Sequence, residues 1–221
     1  MTDLDYVKLV GKANTNTLLP AGNAVDRAIE VTRDGSLFVA DYKLKLALQG
    51  RVFVVNAGTV TTPLTFLVTA ANRPDVVLLV PSGTTVMPLV VETVLEAAAG
   101  TVTELDVRMA SNDIGSGTSS AASVGPLNLR SDGPVTSAVT ARQLYTADAT
   151  AETTPISLHR KTWPLAQATG LEPYVDYWMP DVPPILVGPA SLAIYIAATT
   201  TQATGFVQIL FAEVPSSWVT N

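Results

Sequence analysis

The chain has 221 residues, 48% of them hydrophobic and only 14% charged, with a formal net charge of −6 and no cysteine. That length fits one β-sandwich domain with embellishments, and the lack of cysteine excludes disulfides and thiolate metal sites. The acid excess, with basic residues dispersed so that only Arg160 and Lys161 are adjacent, argues against a phosphate-gripping surface, which needs clustered Lys and Arg. No apolar run approaches the roughly 18 to 20 residues of a membrane-spanning helix, so no membrane insertion is expected. The first residues carry acids where a secretory signal would carry positive charge, so synthesis and assembly in a cell's cytoplasm are expected. With so few charges, the surface must be Thr, Ser, Ala, Gln and Asn, or be buried against other subunits.

Residues 1–34 mix short apolar pairs such as Leu18-Leu19 with Asn, Thr, Gly and charge. They read as an extended N-terminal arm or as a first irregular strand pair, and the sparse apolar residues favour the arm. It lacks the Arg/Lys block that would grip packaged RNA. A single sandwich domain is expected over 35–221. Leu44, Leu46 and Leu48 alternate as in a strand, although Leu, Lys, Ala and Gln are also good helix formers. Gly50 punctuates; strands are expected at Val52–Val55 and over 64–70, with a turn at Asn72-Arg73-Pro74.

The run Val76–Val80 is short, β-branched and bounded by Pro81-Ser82-Gly83, which suits a strand buried on both faces. Beyond the turn, Pro88 cannot donate to a ladder and favours an edge or a bulge. Val90–Ala99 fits a helix or a long strand, and its β-branched residues tip it to strand. Leu105, Val107 and Met109 then alternate with Glu104, Asp106 and Arg108, as in a half-exposed antiparallel strand. Residues 111–134 read as a long exposed loop with a short strand near Leu127–Leu129. Further strands are expected around Val135–Tyr145 and Thr154–His159, followed by a Pro- and aromatic-rich packed loop over 161–190. Ser191–Ala198 and Gly205–Val214 suggest a hairpin. The sum is eight to ten strands, with no helix assigned, in an all-β antiparallel sandwich.

His159 is the only histidine, so a Ser-His-Asp hydrolase would have to use it, with Ser157 or a distant serine. No G-x-S-x-G elbow is present, and a surface or loop-packing histidine is expected. Asn112-Asp113 with Gly115 and Gly117 resembles a fragment of a Ca²⁺ loop, but turn chemistry explains it better. Glu152, Glu172, Asp176 and Asp181 offer carboxylates for glycoside hydrolysis, with nothing to fix their separation. No catalytic, cofactor-binding or metal residue is therefore assigned, and no cofactor is expected. Trp163, Tyr174, Tyr177 and Trp178 are candidates for a subunit contact, where Trp and Tyr are enriched, or for a sugar-stacking platform; the contact is favoured.

The segment Val80–Leu89 (VPSGTTVMPL), the charge-poor Thr/Ala-rich strands and the terminal AIYIAATTTQATGFVQILFAEV resemble single jelly-roll capsid or virion-surface proteins of non-enveloped viruses and phages. The likeness covers about residues 35–215. It implies two four-stranded sheets in Greek-key order, association around a three-fold or related axis, contacts with other virion proteins, and no enzymatic activity. The missing basic arm departs from RNA-packaging coats. That departure favours a motor-filled DNA capsid, a shell built on an inner layer, or a decoration protein. The expected role is a structural subunit of a virus or phage particle, self-assembling as a trimer or larger shell through its flanks, loops and arm. The alternative is a trimeric carbohydrate- or receptor-binding head of a spike or fibre.

Overall fold

The computed structural model describes residues 10–14, 24–28, 42–67, 73–97, 102–115, 122–145, 149–163, 174–198 and 202–219. First come β1 (Val10–Asn14) and β2 (Ala24–Ala28), which pair antiparallel. Helix α1 (Tyr42–Leu48) precedes β3 (Val52–Ala57), β4 (Leu64–Thr65), β5 (Val76–Val80), β6 (Thr84–Ala97) and β7 (Thr103–Ala110). The middle of the chain gives β8 (Ala122–Val124), β9 (Leu127–Asn128), β10 (Thr140–Gln143) and β11 (Ile156–Trp163). The last part gives β12 (Tyr174–Trp178), β13 (Leu186–Val187), β14 (Ala190–Ala198) and β15 (Thr204–Pro215), then a single 3-10 turn at Ser216–Trp218.

The strands form an all-β sandwich of two antiparallel sheets. One runs β11-β7-β14-β5-β10-β8; the other runs β12-β6-β15-β3-β9, with β13 beside β6 and β4 beside β15. Sequence neighbours such as β5, β6 and β7 fall in alternate sheets, while neighbours within a sheet are distant along the chain. This crossing habit is jelly-roll-like, but the sheets have six and seven strands rather than four each. Several strands are only two or three residues long, which is why the sequence pattern undercounts them.

Alternation explains the layers. Val76, Leu78 and Val80 face the central core with Leu192, Ile194 and Ile196, opposite Val207, Ile209 and Phe211 of the other sheet. Phe53 and Phe211 stack there, their ring centroids 5.7 Å apart. The opposite face of β5 and β14 is covered too: Val77, Leu79, Ala193 and Tyr195 meet Ile114, Tyr145 and Ala149. The run Val76–Val80 is thus buried on both faces, as its composition predicts. Ile114 and Gly115 are buried as well, so the start of the segment read as an exposed loop is a lid on this sheet. Its Asp113 and Gly115 form the expected turn, with Gly115 N–H donating to Asp113 Oδ1 at 2.7 Å. On the outer face of the other sheet, Leu46, Val52, Met87, Leu89, Ala212 and Val214 make a third cluster.

Two expectations are corrected. Residues 42–48 are helical, because only Leu46 needs burial and Gly50, at φ +68°, closes the helix. Gly50 N–H donates to Ala47 and Arg51 N–H to Leu46, the paired bonds of a Schellman stop. The second correction concerns β14 and β15, which are not a hairpin. They lie in different sheets, with their apolar faces meeting across the core instead of their edges pairing. Elsewhere, Val90–Ala97 is strand as expected. Pro88 sits at a bulge in β6, where the pairing with β15 slips between Leu210 and Phe211. In the Pro- and aromatic-rich stretch, β12 and β13 are strands rather than loop. The strand expected over 64–70 is described only to Leu67 and pairs at Leu64–Thr65; residues 68–70 and 164–173 lie outside the described residues. Within 1–34, the described residues form the β1–β2 pair, the second of the two readings of that stretch.

Candidate functional site

The sandwich has two unlike sides. On one, the edge strands β8 and β9 are joined through Gly125-Pro126. On the other, β11 and β12 are the edges of the two sheets, and side chains close the gap. The ladder between β11 and β7 slips between Ser157 and His159. This bulge turns His159 inward, opposite Val107. Asp176 lies opposite Thr93 on β6 and is 8% exposed. His159 Nε2 and Asp176 Oδ2 are 2.8 Å apart, a clasp between the two sheets. The Trp178 ring lies nearly parallel to the imidazole, at 14° with centroids 6.0 Å apart.

The candidate aromatics do not share one surface. Trp163 ends β11 opposite Thr103 and belongs to the central core, at 5% exposed. Trp178 is half-buried and packs on that core beside His159. Tyr177, one residue earlier on β12, points away from the core and is 58% exposed. Tyr174 pairs through its backbone with Leu95; its side chain lies outside the described residues.

His159 and Asp176 resemble the base and orienting acid of a triad, but Ser157 does not join them. Its hydroxyl donates to Asp106 Oδ1 at 2.5 Å and accepts from Arg160 Nε at 2.9 Å. Because Ser157 pairs with Arg108, it belongs to the sheet's outer face. There Arg108 Nε donates to Asp106 at 2.8 Å, its Nη1 lies 3.6 Å from Glu152 Oε2, and its guanidinium sits 4.6 Å above the Tyr195 ring. Tyr195 donates to Glu152 Oε1 at 2.9 Å. Burial and then Glu152 push the Tyr195 hydroxyl pKa up. Burial alone would lower Arg108, but Asp106 and Glu152 outweigh it and hold it up. This network ties edge strand β11 and the 149–154 segment to the sheet. Glu152 therefore lies outside the sheet and Asp176 inside the sandwich, so these two acids do not form a glycosidase pair; Glu172 lies outside the described residues.

Near the start of β11 a largely apolar cleft of about 270 Å³ opens between Met109, Ile156, Ile185, Leu186, Val187 and Ala190. Another feature escapes sequence reasoning. Asp75, 1% exposed, accepts from the Leu67 and Ile196 N–H groups, each at 2.7 Å. Burial pushes its carboxyl up to about 7, against the pull of those N–H groups. The only local signal is an acid set immediately before an apolar run.

Among the described residues, no group of three or more His, Asp or Glu side chains is placed to hold a metal ion, and no helix is long and apolar enough to cross a membrane. Comparison with protein-family models, curated proteins and solved structures gives no match to this chain.

Proposed function

We propose that this chain is a structural subunit of a virus or phage particle, a capsid or virion-surface protein assembled in the host cytoplasm, whose work is self-association rather than catalysis. One observation carries this reading. The central core and both outer clusters are filled, yet fourteen large apolar side chains remain exposed among the described residues, on a chain only 14% charged. Scattered exposed apolar residues are ordinary, but concentrated ones mark contact surfaces. Seven of the fourteen belong to β11, β12 and the segment 179–187, the side closed by the His159–Asp176 clasp. Many copies make individually small contacts collectively decisive.

Electron microscopy of the purified protein, with light scattering on the eluting species, tests the proposal. Closed particles or sheets are expected. A monodisperse monomer at high concentration ends the reading. A trimer that goes no further favours the second reading, a carbohydrate- or receptor-binding head, for which exposed Tyr177 is the aromatic available for stacking. That reading predicts glycan binding abolished by Tyr177→Ala.

A further inference from the structure

Register sets four polar side chains in one line across the outer face of the seven-stranded sheet. Tyr177 on β12 lies opposite Glu92 on β6, Glu92 opposite Gln208 on β15, and Gln208 opposite Asn56 on β3. Directly opposed residues share a face. Val91, Val207, Ile209, Val55 and Ala57, their neighbours in sequence, fill the central core, so the line itself points outward. It crosses three strand spacings, about 14 Å. The rows on either side are apolar, with Val94 and Phe206 opposed in one and Val90 and Leu210 in the other.

The line is chemically unfinished. Glu92 is half-buried, yet among the described residues its carboxylate has no hydrogen bond or ion pair. Gln208 Nε2 donates to Asn56 Oδ1 at 2.7 Å, which orients both amides and leaves Gln208 Oε1 as an acceptor and Asn56 Nδ2 as a donor. The sequence along the line is therefore acceptor, acceptor, donor, beside a Tyr177 ring that is 58% exposed. A hydroxyl both donates and accepts, so a run of sugar hydroxyls satisfies all three groups, while the C–H face of a pyranose packs on the ring. A cationic partner satisfies Glu92 alone, and an anionic one is repelled by Glu92 and by the net charge of −6. All four residues stand on strands, β6 and β15 being interior to the sheet, so little ordering is needed on binding.

We propose that this line binds a neutral oligosaccharide, with Tyr177 stacked on one ring and Glu92, Gln208 and Asn56 hydrogen-bonded to the hydroxyls that follow. Its length suits a short chain better than a single ring. The inference deepens the glycan-binding reading, on which it rests, by giving it a site; it does not need the trimer, and a shell subunit can carry the same line.

Isothermal titration calorimetry on the full chain tests it, with cellotriose, maltotriose, mannotriose and N-acetylchitotriose as probes and circular dichroism to check that variants fold. At least one trisaccharide should bind with a Kd of about 1 mM or tighter. Tyr177→Ala and Glu92→Gln should each weaken that binding about tenfold or more, and Gln208→Ala should weaken it as well. Glu104→Gln, the same charge change at an exposed position on the other sheet, should leave it unchanged. No binding of any of the four sugars up to about 10 mM overturns the site, while the self-assembly reading still stands or falls by electron microscopy. Equal losses in Glu92→Gln and Glu104→Gln overturn it too, because net charge then accounts for both. Trilysine bound more tightly than every sugar, and lost in Glu92→Gln, overturns it in favour of a cationic partner. Sugar binding by a chain that stays monomeric upholds the site and ends the self-assembly reading.

Discussion

At Asp75 two opposing effects meet in one carboxyl group: burial disfavours its charge, and two backbone N–H donors favour it. Burial wins, and the folded-state pKa of about 7 lies above the ordinary 3.8. The folded chain therefore holds this proton more tightly than the unfolded chain. The stability tied to it is fully present below about pH 4 and is lost as pH rises through about 7. At about 1.4 kcal/mol per pH unit, the gap caps the loss at roughly 4 kcal/mol. Urea unfolding between pH 4 and pH 8 should show this decline, and Asp75→Asn should flatten it. The variant's own cost, about 1–3 kcal/mol for turning an amide donor toward backbone N–H groups, should not vary with pH. An unchanged slope in the variant would assign the decline to other groups. Beyond an acid set just before an apolar run, none of this is legible locally. The donors that hold Asp75 include Ile196, on a strand that reaches it only through the completed sheet.

Strands were legible where period and burial agree. The alternation of Leu105 and Val107 with Glu104, Asp106 and Arg108 is the burial pattern of β7 up to Arg108, after which Met109 is half-buried and Ala110 buried, and Pro88 announces the bulge in β6. Helix α1 was obscured because Leu44, Leu46 and Leu48 alternate like a strand, while the structure buries only Leu46 and leaves the other two exposed. Position 50 held the better signal. A Cβ there would overlap the Pro134 ring, so both the left-handed turn and the neighbour require glycine. The β14–β15 pair failed as a hairpin because apolar faces with strand spacing specify burial, not which edge is hydrogen-bonded. The β11–β12 clasp was hidden for a related reason: His159 and Asp176 belong to different sheets, and local spacing does not reveal that they meet. His159→Ala should cost about 1–3 kcal/mol, since it leaves the nearly buried Asp176 carboxylate without this donor. A double-mutant cycle with Asp176→Ala, read by urea unfolding, should give a coupling of about 0.5–3 kcal/mol. Additive losses would reduce the contact to coincidence.

For the whole molecule, the decisive fact is how far apart along the chain the paired strands lie. Strand β15 is central to its sheet, with β6 on one side and β3 on the other; Val207 pairs with Thr93 and with Ala57. Strand β14 stands between β5 and β7 in the same manner. Neither sheet can form from local hairpins, so chain closure entropy is lost before most apolar surface is buried. Folding of such topologies falls in the millisecond-to-second range. Stopped-flow refolding followed by tryptophan fluorescence reports this well, because Trp163 and Trp178 both pack at the core and should respond only when the sheets meet. Phe211→Ala removes the ring stacked on Phe53 and should destabilise the chain by about 3–5 kcal/mol. If the two sheets dock in the rate-limiting step, much of that loss should appear as slower refolding; if docking follows it, as faster unfolding. Sub-millisecond refolding of the starting chain would be incompatible with a sandwich whose central strands are matched to partners so far upstream.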